Sequence, residues 1–262
     1  MDEVLDKLAE CSRQGKPVCL CVIVKTEGAV PRHAGSKMLV FPDGKTLGTV
    51  GGGGVEAEVT QAALEALRSG KPVLLHYSLK AQNEESVGVC GGEVDIYLEP
   101  FLAKPKLLVI GAGHVGKSVA KFGKLLDFQV IVSDDRAELC TQEEFPDADQ
   151  LIPVPMQMIP EEIEIDPYTY IVIVTRGSEV DVAGLPALLK TQPAYIGLIG
   201  SRRRWETTRQ ALLAQGISEA DLQRIKCPIG LDIHAETPDE IAISILAEII
   251  AVKNTPKDQI SA

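Results

Sequence analysis

Lys106-Leu107-Leu108-Val109-Ile110-Gly111-Ala112-Gly113-His114-Val115-Gly116 reads as a buried β-strand that runs straight into a Gly-x-Gly-x-x-Gly turn and opens a helix. The glycine pattern alone is a weak signal; the apolar strand before it and the helix after it give it meaning. Gly111 permits a tight turn, Gly113 lets a diphosphate approach the backbone, and Gly116 lets helix and strand pack closely. The unpaired N–H groups and the helix dipole, with His114 beginning the helix, favour an anion by about 0.3–1 kcal/mol, or ~2 kcal/mol when partly buried.

Outward from this stretch the chain alternates strands and helices. Apolar runs at 106–110, 128–133, 150–154, 168–175 and 194–199 read as strands, and apolar strands alternating with helices predict a parallel sheet covered on both faces. The second strand ends in Ser133-Asp134-Asp135-Arg136, which puts Asp134 about 20 residues past the glycines, where a ribose hydroxyl would be held. The alternative is a fold of this type whose site has decayed. Two more loops lie at the carboxyl ends of strands, where ligands collect in open α/β sheets: Thr175-Arg176-Gly177 and Gly200-Ser201-Arg202-Arg203-Arg204. Ser201 is a good N-cap. Three arginines in a first helical turn oppose the dipole. An anion or acidic surface nearby would ease this, or the patch is simply solvated and paired with Glu206. The last helix is the best signed, with Thr237 as N-cap, Pro238 at N1, Glu240 closing a capping box, and Ile241, Ile245 and Ile249 as its buried stripe.

Before residue 100 the pattern differs. Residues 2–14 predict a short amphipathic helix, 18–24 a buried strand, 37–41 and 46–50 two further strands, 55–68 a helix, and 73–79 and 93–98 two last strands. The expected architecture is therefore a smaller N-terminal α+β domain (1–100), a linker (101–105), a C-terminal Rossmann-like parallel sheet with helices on both faces (106–252), and a frayed tail (253–262). In the N-terminal part, Gly28-Ala29-Val30-Pro31-Arg32, the run Gly51-Gly52-Gly53-Gly54 with Glu56, and Cys90-Gly91-Gly92 stand out. Four adjacent glycines carry a high backbone-entropy cost. Close approach of a ligand or another segment would justify it, and a plain tight loop is the alternative. Cys90 reads either as a small buried hydrophobe or as a thiol beside a flexible loop.

A formal net charge of −11 argues against a nucleic-acid binder, since phosphate backbones need a basic surface. No apolar run reaches the roughly 18 residues of a membrane span, and the acidic start Met1-Asp2-Glu3 is unlike a signal peptide. The six cysteines lack paired CxxC spacing, which argues against a zinc site or disulfide scaffold and for the cytoplasm. No Ser/His/Asp, HExxH or fixed-spacing carboxylate pair announces a catalyst.

Taken in order, these motifs resemble the xanthine dehydrogenase accessory protein family, XdhC/CoxI. The similarity runs through 28–32 with Gly35 and Met38, 48–53 with Glu56, 90–92, 111–116, Thr175-Arg176-Gly177 with Asp181, 195–203, 228–233 and 237–242. It spans nearly the whole chain. The resemblance implies a chaperone without turnover that binds molybdopterin, the molybdenum cofactor, in its monophosphate or dinucleotide form. It would protect the sulfurated cofactor and deliver it to a molybdenum hydroxylase of the xanthine dehydrogenase type, with a cysteine desulfurase as possible further partner. The cofactor-binding residues so implied are Gly111, Gly113, His114, Gly116, Asp134, Arg176, Gly177, Ser201 and Arg202 in the Rossmann part, and Arg32, Gly51, Gly52, Gly53, Glu56 and Cys90 in the N-terminal part. The phosphate end would lie on the Rossmann loop and the pterin end toward Cys90 and the glycine run. An NAD(P)-dependent oxidoreductase and a non-enzymatic nucleotide sensor are the competing expectations, and a homodimer is the expected assembly. Two departures stand out: Ser178 where the family often has histidine, and His234 where it usually has glycine.

Overall fold

The computed structural model describes residues 3–78 and 91–255, and these form two compact units, divided between Ala103 and Lys104. The first contains α1 (Glu3–Arg13), β1 (Val18–Glu27), β2 (Lys37–Val40), β3 (Thr46–Gly48), α2 (Gly53–Ser69), β4 (Val73–Ser78) and β5 (Glu93–Phe101). Its strands form an antiparallel sheet in the order β3-β2-β1-β5-β4.

The unbroken apolar run in β1 has a simple cause: both of its faces are covered. Cys19, Cys21 and Ile23 pack with Val59, Ala63, Ala66 and Leu67 of α2, whereas Val18 and Leu20 pack with Val4 and Cys11 of α1. A fully buried aliphatic side chain of this kind stabilises by roughly 1.5–3 kcal/mol. Helix α2 starts two residues before the expected Val55, so Gly53 and Gly54 make its first turn; it ends at left-handed Gly70, whose N–H donates to the Ala66 carbonyl at 2.8 Å. β5 runs beyond the expected 93–98 to Phe101, because its pairing with β1 continues through Cys19↔Pro100 and Val18↔Phe101.

The second unit contains β6 (Lys106–Ile110), α3 (His114–Leu125), β7 (Gln129–Ser133), β8 (Gln150–Ile152), α4 (Ile159–Glu162), β9 (Thr169–Ile173), α5 (Ser178–Leu189), β10 (Tyr195–Leu198), α6 (Arg202–Ala214), α7 (Glu219–Leu222), β11 (Ile225–Lys226) and α8 (Pro238–Asn254). All six strands are parallel, in the order β11-β10-β9-β6-β7-β8. The chain starts at the centre with β6, moves outward through β7 and β8, then returns to β9 beside β6 and moves outward the other way. This is the doubly wound arrangement of the expected Rossmann fold, and its reversal point lies between β6 and β9. Helices α3 and α8 bury Val119, Ala120, Ala242, Ile245, Leu246 and Ile249 on one face of the sheet. On the other face Ile159, Leu185, Leu188, Leu212 and Leu222 of α4 to α7 do the same.

Elements α4, α7 and β11 were not legible in the sequence, being too short to show a period. Helix α8 continues to Asn254, past the residue 253 at which a tail was expected, and its buried stripe adds Ala242, Ser244, Leu246 and Glu248 to Ile245 and Ile249. No helix among the described residues is long and apolar enough to cross a membrane.

Candidate functional site

At the carboxyl end of β6 the three glycines have three different environments. Gly111 has φ +119°, and a Cβ there would lie 2.5 Å from the Val174 carbonyl oxygen. A Cβ on Gly116 would lie 1.9 Å from the Gly111 carbonyl oxygen, so the third glycine is needed for the turn to pack under the helix. Gly113 is different. It is the N-cap of α3 with φ −79°, in the extended region, and a Cβ there would meet nothing within 4 Å. The first backbone bond of the helix is Lys117 N–H to the Gly113 carbonyl at 2.9 Å, there is no side-chain cap, and no acid stands in the first turn. The amides of His114, Val115 and Gly116 are thus the orphan donors of this helix. The His114 side chain is exposed.

Beside this loop lies a cleft of about 350 Å³, lined among others by Gly111, Asp134, Asp135, Arg136, Met156, Thr175, Arg176 and Glu179. Asp134 is buried and occupied. Its Oδ2 accepts from the Ala112 amide at 2.7 Å and from Arg136 Nη2 at 2.9 Å, and its Oδ1 accepts from the Arg136 amide and Nε, both at 2.9 Å. Burial alone would raise this carboxyl, but the Arg136 guanidinium and the two amides outweigh it and bring it down to about 2. The acid that faces outward is the next residue. Asp135 receives Arg176 Nη1 and Nη2 on its two oxygens at 2.6 and 2.7 Å, and the guanidinium holds its carboxyl below the ordinary value.

One strand further along the edge, the arginine cluster at α6 resolves into unlike members. Ser201 caps the helix by accepting from the Arg204 amide at 3.2 Å. Arg202 and Arg203 are exposed. Arg204 turns inward: its Nη2 donates to Asp181 Oδ2 at 2.6 Å and to Thr175 Oγ1 at 3.0 Å, and the Asp181 side chain is 0% exposed. Thr175 in turn donates to the other oxygen of Asp181. The acidic partner that three adjacent arginines seemed to need is therefore internal for one of them, and it is Asp181 rather than Glu206; Glu206 pairs with Arg209. Cys227 lies beside this group, and burial pushes its thiol up to about 11. Gly177 is the N-cap of α5 and Ser178 its first residue.

On the far side of the glycine loop, Ser118 of α3 donates to Asp239 Oδ1 at 2.6 Å and ties the start of α3 to the start of α8. The predicted capping box is present: Thr237 Oγ1 accepts from the Glu240 amide at 3.3 Å, and Glu240 Oε2 accepts from the Thr237 amide at 3.0 Å. His234 has φ +56°, with its side chain 93% exposed. A glycine preference at this position thus follows from the left-handed backbone, which histidine tolerates better than most side chains, and not from crowding.

In the N-terminal unit the motif loops converge. A Cβ on Gly92 would lie 2.5 Å from the carbonyl oxygens of Glu27 and Ala29, and one on Gly51 would lie 3.4 Å from Pro31 Cγ. Gly51, Gly52 and Gly53 have φ of +145°, +78° and +63°, so the run is glycine because the backbone is left-handed three times over. Glu56 braces it, accepting from the Gly52 amide at 2.8 Å and the Thr49 hydroxyl at 2.9 Å. Arg32 is exposed on the neighbouring loop. Cys90 lies outside the described residues. Asp135 and Arg204 do not stand out in the sequence as individuals. Their only signal is position, next to Asp134 and at the third residue of a helix.

Two family models match the chain: the XdhC Rossmann domain over residues 107–249 and the XdhC and CoxI family over residues 11–78. An uncharacterized Escherichia coli K12 protein, YqeB, is 36% identical over 253 residues, an alignment covering 96% of this chain and 46% of YqeB. The chain therefore spans about half the length of that relative. A Bacillus subtilis 168 protein described as a probable component of xanthine dehydrogenase is 26% identical, with 95% of this chain and 96% of that protein covered. The molybdenum cofactor insertion chaperone PaoD of Escherichia coli K12 is 24% identical, with 95% and 88% covered. The Rossmann model covers more than half of the residues, the strands and glycine loop of the second unit among them: the chain belongs to the XdhC/CoxI family.

Proposed function

We propose that this protein is a molybdenum-cofactor accessory protein that serves a molybdenum hydroxylase of the xanthine dehydrogenase type and has no turnover of its own. The observation that carries the reading is Gly113. Packing explains the glycines on either side of it, whereas a side chain on Gly113 would stand in open space beside orphan helix amides. That is a cradle for an anion approaching the backbone, and the cofactor carries a phosphate or, in its dinucleotide form, a diphosphate. The cleft itself holds three acids, Asp134, Asp135 and Glu179, against Arg136 and Arg176, so the anion belongs on the amides and a hydroxyl-bearing portion in the cleft. The names of the family and of two relatives, a xanthine dehydrogenase component and a cofactor insertion chaperone, point the same way.

In this reading Gly111, Gly113, His114 and Gly116 form the phosphate loop, with Asp134, Arg176, Gly177, Ser201 and Arg202 around it. Arg32, Gly51, Gly52, Gly53, Glu56 and Cys90 are proposed cofactor contacts of the N-terminal unit. Protection of a sulfurated cofactor, its delivery to the client, a cysteine desulfurase as sulfur donor, a homodimer and a cytoplasmic location complete the proposal. The cofactor, when bound, carries the molybdenum redox chemistry that the client uses. Of the ionisable residues lining the cleft, Asp134, Asp135, Arg136 and Arg176 are already joined in ion pairs, which weighs against a proton donor placed beside a nicotinamide.

The test is equilibrium binding of molybdenum cofactor, NADH and NADPH to the full chain and to Gly113→Val. We expect cofactor binding that Gly113→Val weakens by more than about tenfold, one lost set of charge-assisted hydrogen bonds, with an unchanged unfolding midpoint. Tight nicotinamide binding without cofactor binding would replace the proposal with the oxidoreductase.

A further inference from the structure

Arg176 and Asp135 are joined across an unusual span. Asp135 follows β7 and Arg176 follows β9, and β6 lies between those strands, paired with both. Adjacent strands are about 4.8 Å apart, so the two backbones are separated by roughly 10 Å at the sheet edge. Two side chains close that gap directly over the carboxyl end of the strand that feeds the glycine loop, with both oxygens of Asp135 held at 2.6 and 2.7 Å. Both residues line the cleft. The bridge therefore crosses the reversal point of the sheet, where ligands of doubly wound folds enter.

The neighbouring ion pair behaves differently. Asp134 and Arg136 are two residues apart, and Asp134 also fastens the Ala112 amide of the glycine loop, so that pair is part of the framework. Arg176 and Asp135 have side chains 48% and 31% exposed, and among the described residues Arg176 donates to Asp135 alone. A partly exposed pair typically contributes about 0.2–1 kcal/mol, so breaking it costs little beside a ligand's own charge-assisted bonds. The geometry of each half suits a ligand: a planar guanidinium matches a phosphate bidentately, and an outward carboxylate accepts from hydroxyls.

We propose that Asp135 and Arg176 form an exchangeable clasp: a phosphate ester settling on the Gly113 amides takes the Arg176 guanidinium, and the released Asp135 accepts a hydroxyl of the same ligand. The inference rests on the glycine loop being a phosphate site. Arg176 is then the anchor. Asp135 is a specificity residue, competing against bare phosphates and favouring those that carry a hydroxyl within its reach.

The experiment measures affinities of the full chain, Asp135→Asn and Arg176→Gln for pyrophosphate, ADP and 2′-deoxy-ADP, with the unfolding midpoint of each variant as control. The wild type should prefer ADP over 2′-deoxy-ADP by about tenfold, the worth of a hydrogen bond to a charged group. Asp135→Asn should erase that preference and bind pyrophosphate about fivefold tighter, since the competing pair contributed up to about 1 kcal/mol. Arg176→Gln should weaken all three ligands. Binding that is the same in wild type and both variants would overturn the clasp and leave the phosphate loop standing. Failure of every form to bind any of the three ligands would overturn the phosphate loop as well.

Discussion

Arg204→Met would strip the Asp181 carboxylate of its cation while keeping most of the aliphatic length of the side chain. Asp181 is 0% exposed and Arg204 23%, and two guanidinium contacts, at 2.6 and 3.2 Å, fall on a single carboxylate oxygen. Breaking a buried pair from one side costs about 3–5 kcal/mol, because the remaining charge keeps its desolvation penalty. Asp181 retains the Thr175 hydroxyl and sits in the first turn of α5, where the dipole favours an acid by about 0.3–1 kcal/mol. Those two features pull the expected cost to the lower end, about 3 kcal/mol. Equilibrium urea unfolding measures it, followed by tryptophan fluorescence: the chain has one tryptophan, Trp205, which packs against the core of the second unit. With a slope of about 2 kcal/mol/M, the midpoint should fall by roughly 1.5 M. Asp181→Leu combined with Arg204→Met should recover most of the loss, since removing both charges removes the penalty. A single variant that loses less than about 1 kcal/mol, or a double variant as unstable as the single one, would refute the argument that a buried, paired charge organises this end of the sheet.

Two further outcomes follow from the glycine loop and its neighbour. Gly116→Ala should destabilise by about 3 kcal/mol in the same urea assay, because its Cβ would meet the Gly111 carbonyl oxygen at 1.9 Å and backbone cannot step aside; a wild-type midpoint would show the turn to be looser than described. Asp134, lowered from 3.8 to about 2, stabilises the fold above the unfolded-chain value of 3.8 and loses that contribution as pH falls toward 2. At about 1.4 kcal/mol per pKa unit this is roughly 2 kcal/mol, so Asp134→Asn should flatten the acid limb of the stability profile between about pH 4 and 2, and an unchanged limb would contradict the assignment.

Much of this protein is written locally. The strand and turn at 106–116 and the capping box at Thr237 and Glu240 each lie within one short stretch of chain, and each is present as the sequence implied. The roles read for the outer two glycines were also legible: Gly111 takes a positive φ in the turn, and Gly116 has no room for a Cβ under the helix. His234 is a milder case, in which the sequence marked the position as unusual and only φ +56° explained why.

What the sequence left open depends on which strands become neighbours. Asp135 and Arg176 are 41 residues apart, Arg204 and Asp181 are 23 apart, and Thr175 joins the latter pair from a different loop. A row of three arginines cannot reveal that its third member faces a buried carboxylate, because the α6 backbone sets that direction relative to α5. Nor could Asp134 be told from Asp135 by position: both line the cleft, but Asp134 is buried and holds the Ala112 amide of its own glycine loop, whereas Asp135 is exposed and receives Arg176 from another strand's loop. Local spacing determined the elements and the glycine loop for which an anion is proposed. Tertiary pairing decided the partners of Asp135 and Asp181, because each meets its arginine from an element 23 or more residues away, whereas Asp134 and Glu206 find theirs within three positions in the chain.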